Sequence, residues 1–165
     1  QDIDAHVMLA RAQDALGRKS DAIQTLLPLA EDFGDQVYYA YWLSLFLWQD
    51  GQYEKGLAVA AVPEEAKTSG WLSEISSDCL IGLGRFDQVE PFARRAIKTL
   101  PDRPYAYAAL ARAQLELGEP DRAAETFALA MDRDLEGTEV NGFIALLVAK
   151  GHLPLASKLM FRSRP

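Results

Sequence analysis

The stretch 110–130, LARAQLELGEPDRAAETFALA, decides the fold. An apolar run of helical period, LARAQLELG, closes on Gly118, and a second such run, EPDRAAETFALAM, follows at once. Glycine after a helix accepts the left-handed conformation that ends it, so the stretch reads as helix, tight turn, helix.

The same pattern recurs on both sides. Gly17, Gly51, Gly84, Gly118 and Gly151 are spaced by 34, 33, 34 and 33 residues. Before each stands an apolar stretch of helical period (LARAQDALG, LSLFLWQDG, SDCLIGLG, ALLVAKG), and after each a second one (RKSDAIQTLL, QYEKGLAVAA, RFDQVEPFARRAI, HLPLASKLM). Seven residues before the glycine the side chain is small in four units, Ala10, Ser44, Ser77 and Ala111, with Ile144 the exception. Five residues after it stand Ala22, Gly56, Val89, Ala123 and Ala156. Small side chains at both places let the two helices of a hairpin approach closely. Leu9, Leu43, Leu110 and Phe143, eight before the glycine, supply an apolar knob that Ser76 interrupts in the third unit. Tyr53 and Phe86, two after it, are placed to wedge an aromatic ring under the turn.

A period near 34 with Leu, a small residue, Gly, Ala, Phe, Ala and Pro in this order resembles the tetratricopeptide repeat. Leu110, Ala111, Gly118, Ala123, Phe127 and Ala130 carry the resemblance best, and Pro101 stands at the expected end of the third unit after Ala93 and Ala96. The implied fold is all-α, a right-handed superhelical solenoid of about five antiparallel helix hairpins in a single domain, 1–165. The units are 3–36, 37–69, 70–103, 104–136 and a shortened 137–165. Pro63 falls where a small helical residue belongs, so the helix from Tyr53 should stop near Val62, with an irregular connection and a change of curvature over 63–70.

Composition sets bounds on partners. A charge of -7 and a pI near 4.8 disfavour nucleic acid and anionic membrane surfaces, which attract basic patches. No apolar run reaches the ~18 residues of a spanning helix, so no membrane insertion is expected. Val37–Trp48, the most apolar stretch, reads as a buried or groove-lining helix. Cys79 is the only cysteine and suits a reducing cytoplasm, though the periplasm is compatible. A start at Gln1 without an initiator Met suggests processing or trimming, and hence part of a longer protein. Abundant Ala, Leu and Arg with one Asn read as bacterial.

Catalytic constellations do not emerge. His6 and His152 belong to opposite ends of the array, the first as helix packing and the second as a turn residue. Cys79 reads as a small buried hydrophobe. Glu31–Asp32 and Glu64–Glu65 read as solvated carboxylates without a basic companion. No metal spacing, nucleophile elbow or phosphate loop is present, so neither catalysis nor a cofactor is expected.

The resemblance further implies that ligands lie in the concave groove, on the first helix of each hairpin at fixed offsets from the turn glycine. Those offsets select Asp4, Val7, Arg11 and Asp14 in unit one, and Tyr38, Tyr41, Leu45 and Trp48 in unit two. They select Trp71, Glu74, Asp78 and Ile81 in unit three, and Tyr105, Ala108 and Arg112 in unit four, where Glu116 stands one residue nearer its glycine. Unit five contributes Thr138, Asn141, Ala145 and Val148. Residues three and four apart share a helical face, and aromatics concentrate there, with Tyr41 and Trp48 expected to be the most open. Arg11, Leu45, Asp78 and Arg112 do not make the Lys/Arg/Asn clamp that some members of the family use for a terminal carboxylate. Glu74, Asp78 and Glu116 suit instead a protein or peptide segment that is apolar with some basic character. The expected function is a non-catalytic interaction scaffold for complex assembly. Alternatives are a scaffold that self-associates through its solenoid ends, or a regulatory region of a larger enzyme or export machine.

Overall fold

The computed structural model describes residues 2–162; the last three residues assigned to unit five lie outside them. All regular structure among the described residues is helical. They form five hairpins: α1 Ile3–Ala15 with α2 Lys19–Leu26, α4 Val37–Gln49 with α5 Tyr53–Ala60, α6 Gly70–Gly82 with α7 Val89–Thr99, α8 Tyr105–Glu116 with α9 Pro120–Met131, and α10 Gly137–Ala149 with α11 Leu153–Arg162. A short extra helix, α3 Ala30–Phe33, follows a 3₁₀ turn at Leu27–Leu29.

Each hairpin turns on its glycine. Gly17, Gly51, Gly84, Gly118 and Gly151 all hold φ between 70° and 84°. The residue after the glycine donates its N–H to the carbonyl five residues back, as in Gln52 to Leu47 (2.8 Å) and Glu119 to Gln114 (2.9 Å). That bond satisfies a carbonyl the helix end would otherwise orphan.

The two columns of small side chains are the seam of the hairpins. Ala10, Ser44, Ser77, Ala111 and Ile144 are buried, as are Ala22, Gly56, Val89, Ala123 and Ala156. At Gly56 a Cβ would stand 3.0 Å from Cys79 Sγ and 3.2 Å from the Ser44 carbonyl oxygen, so any larger residue there must displace its neighbours by a few tenths of an ångström. Leu43, Leu110 and Phe143 are buried knobs, and Ser76 in the same column turns its hydroxyl to the Leu72 carbonyl oxygen at 2.7 Å. Leu9 departs from its column and stays 52% exposed, because no described helix packs on that side of α1.

Successive hairpins stack by two kinds of contact. First helices pack on first helices, α4 on α6 and α6 on α8, while α5 packs on α6 and α7 on α8. Phe127 of α9 and Phe143 of α10 stack face to face at 3.9 Å, joining the fourth hairpin to the fifth. The resulting core is a chain of clusters strung along the array, as expected when each unit contacts only its neighbours.

Prolines set the irregular places. The helix from Tyr53 ends at Ala60, two residues before the expected Val62, and a 3₁₀ turn at Glu64–Lys67 follows Pro63. Pro28 ends α2 at Leu26 in the same way, giving the 3₁₀ turn that the sequence reading missed. Pro91 sits in the first turn of α7, where its missing N–H is harmless, and a 3₁₀ turn at Phe86–Gln88 precedes that helix.

Candidate functional site: the open face of the first helices

Tyr38, Trp71 and Tyr105 each stand thirteen residues before a turn glycine. They open α4, α6 and α8 at the same helical position, and they are 42%, 40% and 36% exposed.

Tyr41 and Trp48, expected to be the most open, are half-buried. With Leu45 they pack against the cluster that holds Leu72, Ile75 and Cys79 of α6. Their outer edges belong to the face, and their bodies join unit two to unit three. Val7 is fully buried and forms no part of the surface. His6 is half-buried, with Nδ1 2.7 Å from the Asp2 carbonyl oxygen.

The centre of the face is one connected cluster. The Tyr41 and Trp71 rings meet edge to face at 5.4 Å. The guanidinium of Arg103 lies over the Trp71 ring at 4.2 Å and near the Tyr105 ring at 5.3 Å. Its Nε and Nη2 donate to the two carboxylate oxygens of Glu74 at 3.1 and 2.6 Å. Glu74 is only 5% exposed, and burial of a carboxylate requires such a cation. The hydrogen bond from Arg103 to Glu74 chiefly raises the guanidinium pKa further. Burial, then the Glu74 charge, pushes the Tyr41 hydroxyl up.

Asp78 stands one helical turn beyond Glu74. Burial drives its carboxyl well above the ordinary carboxylate range, and Glu74 and Glu139 act in the same direction, against Arg103 and Arg112. Glu116 is paired with Lys150 at 2.9 Å. Arg112 is exposed, and Arg11 lies over the Trp42 ring at 4.6 Å. Of the three carboxylates read as matching a basic ligand, two are therefore neutralised by side chains of this chain. Sequence reasoning missed Arg103, Lys150 and Trp42. Arg103 lies in the connection before α8, outside every helical offset, and its one trace in the sequence is that a buried Glu74 needs a cation.

Among the described residues no group of three or more His, Cys, Asp or Glu side chains is placed to hold a metal. No described helix is long and apolar enough to cross a membrane. Residues 80–147 match the family model of the tetratricopeptide repeat. That segment carries tetratricopeptide repeats. That match runs from the end of one first helix, through the third turn glycine, to the first helix of the fifth hairpin. A thermophilic TPR protein of Thermus thermophilus, TTC0263, superposes with a TM-score of 0.79 at 17% identity, over 97% of this chain and 89% of that one. MamA of Desulfovibrio magneticus RS-1, from residue 41 onward, gives 0.75 at 15% identity, over 97% and 92%. MamA of MSR-1 gives 0.65 at 22% identity, over 81% and 80%. At such identities the likeness establishes the tetratricopeptide solenoid along most of the chain and says nothing of partners. No curated protein sequence matches the chain.

Proposed function

We propose that this tetratricopeptide array is a non-catalytic scaffold that holds an extended or helical segment of a partner protein in its concave groove, in the service of complex assembly. The observation that carries this reading is the row Tyr38, Trp71 and Tyr105, one open ring in each of the three central repeats, with Tyr41, Leu45 and Trp48 beside it. Rigid aromatic rings give large contact area at low entropy cost, which suits them to anchor a segment. Glu136 and Glu139 make the surroundings acidic, so an apolar segment with some basic character fits better than an acidic one. The single domain, with its groove on the first helices of units 37–69, 70–103 and 104–136, is part of this proposal.

The test is affinity capture from source-cell extract with wild type, a Tyr38→Ala/Tyr105→Ala variant, and a Leu129→Ser control on an exposed position of a second helix. Proteins recovered by wild type and control but lost from the double variant support the groove. Equal recovery by all three overturns it.

Exposed Met8, Leu9 and Leu16 on the first hairpin and exposed Leu153 on the last favour a second reading, self-association through the solenoid ends. Under that reading solution mass rises with concentration, and Leu9→Glu or Leu153→Glu prevents the rise. A concentration-independent monomer excludes it.

A further inference from the structure

A guanidinium already occupies the middle of the open face, and it comes from the chain itself. Trp71 and Tyr105 flank Arg103, at 4.2 and 5.3 Å from its central carbon, and Glu74 closes the floor with two hydrogen bonds. Tyr41 holds the Trp71 ring from behind by an edge contact of 5.4 Å. Glu74 is buried, whereas the two flanking rings remain more than a third exposed, so the pocket has a fixed floor and an open mouth. Two aromatic walls over a carboxylate select a flat cation with parallel N–H donors, which describes arginine and not lysine.

We propose that Trp71, Tyr105 and Glu74 form an arginine-binding subsite that Arg103 fills in the unbound protein, and that an arginine side chain of the partner segment replaces it. The proposal rests on the groove reading above and specifies one residue of the segment.

Arg103 is the one member of the set that no helix holds. It lies in the connection between Thr99 and Tyr105, outside both helices, whereas Glu74, Trp71 and Tyr105 are fixed on α6 and α8. Exchange of one guanidinium for another leaves the buried carboxylate paired before and after, so the bound state holds no uncompensated charge. Acidic neighbours favour the exchange. Glu136 and Glu139 bear on Tyr105, while Arg112 is the remaining cation of the surroundings. The tether makes Arg103 a strong competitor, because its local concentration is on the order of millimolar or above. A lone arginine therefore competes poorly in the wild type. A segment succeeds only when its other side chains also engage the face, so Arg103 sets a threshold that discriminates among basic sequences.

The experiment replaces the internal occupant. Arg103→Gln keeps a donor for Glu74, and Arg103→Lys keeps the charge. Each is titrated with arginine amide and with lysine amide at equal ionic strength, read by tryptophan fluorescence and by Tm. Arginine amide should bind both variants saturably, about tenfold or more tightly than wild type, and raise their Tm with concentration. Lysine amide should do neither, and Glu74→Gln added to either variant should abolish the effect. Reading two substitutions guards against one of them failing to fold, which far-UV circular dichroism reports. Folded variants that bind no arginine amide, or bind lysine amide equally well, reduce Arg103 to a structural clamp and overturn the proposal. Failure of the subsite with continued loss of partner from Tyr38→Ala/Tyr105→Ala leaves the groove standing. Arginine binding without any partner lost from that variant does the reverse.

Discussion

Tyr53 lies so close over Gly82 that a Cβ on the glycine would stand 2.7 Å from the Tyr53 ring. The wedge expected under the turn of its own hairpin is thus driven against the first helix of the next one. Gly82→Ala must push the ring aside, and overpacking of this kind costs about 1–3 kcal/mol against a helix-propensity gain of about 1. We expect a net loss near 1 kcal/mol by urea unfolding. In a Tyr53→Ala background the same substitution should stabilise, since only the propensity gain remains. The sign reversal is the diagnostic outcome, and equal effects in both backgrounds would disprove the wedge.

Asp78 predicts a pH dependence. Its pKa in the folded chain is raised, first by burial and then by Glu74 and Glu139. A raised folded value means that the group supports the fold fully below its unfolded value near 3.8, and that this support is lost as pH rises through the folded pKa. Asp78→Asn should therefore stabilise the protein at neutral pH, by about 1 kcal/mol or more, and by less as the medium becomes acidic. The difference between variant and wild type isolates this group from Glu90 and Asp132, whose lowered pKa values act in the opposite direction. A variant that is no more stable at pH 7 than at pH 4, relative to wild type, would contradict the assignment.

The Cys79 thiol is free, fully buried and pushed up to about 12, chiefly by burial and further by Asp78. The thiolate is the reactive form, so iodoacetamide at pH 8 should label the native protein only through opening of the structure. The labelling rate should climb with urea in step with the loss of helix. Labelling at the rate of a small free thiol would show that the α5–α6 junction is open in solution.

Much of this architecture is legible in the sequence because repetition averages out local ambiguity. Gly17, Gly51, Gly84, Gly118 and Gly151 share one backbone conformation, and the small-residue columns follow from the close approach that conformation imposes. The break at Pro63 is equally visible, since a ring without N–H cannot continue a helix. Pro28 obeys the same rule but hides inside an otherwise regular apolar pattern. Exposure is harder to read than periodicity. Tyr41 and Trp48 share a helical face with the open ring of Tyr38, yet inter-unit packing half covers them, and no single-chain pattern states how far neighbouring units overlap. Arg103 and Lys150 pair with carboxylates of the first helices across about thirty positions, a relationship that helical spacing cannot encode.

The left-handed glycines make every hairpin end on the same geometry and hand the chain to its neighbour in the same way. A segment of 33 or 34 residues copied in register inherits both of its junctions ready-made. Such a protein can lengthen or shorten by whole modules without inventing a new interface. Its length can thus evolve separately from the chemistry written on its open face.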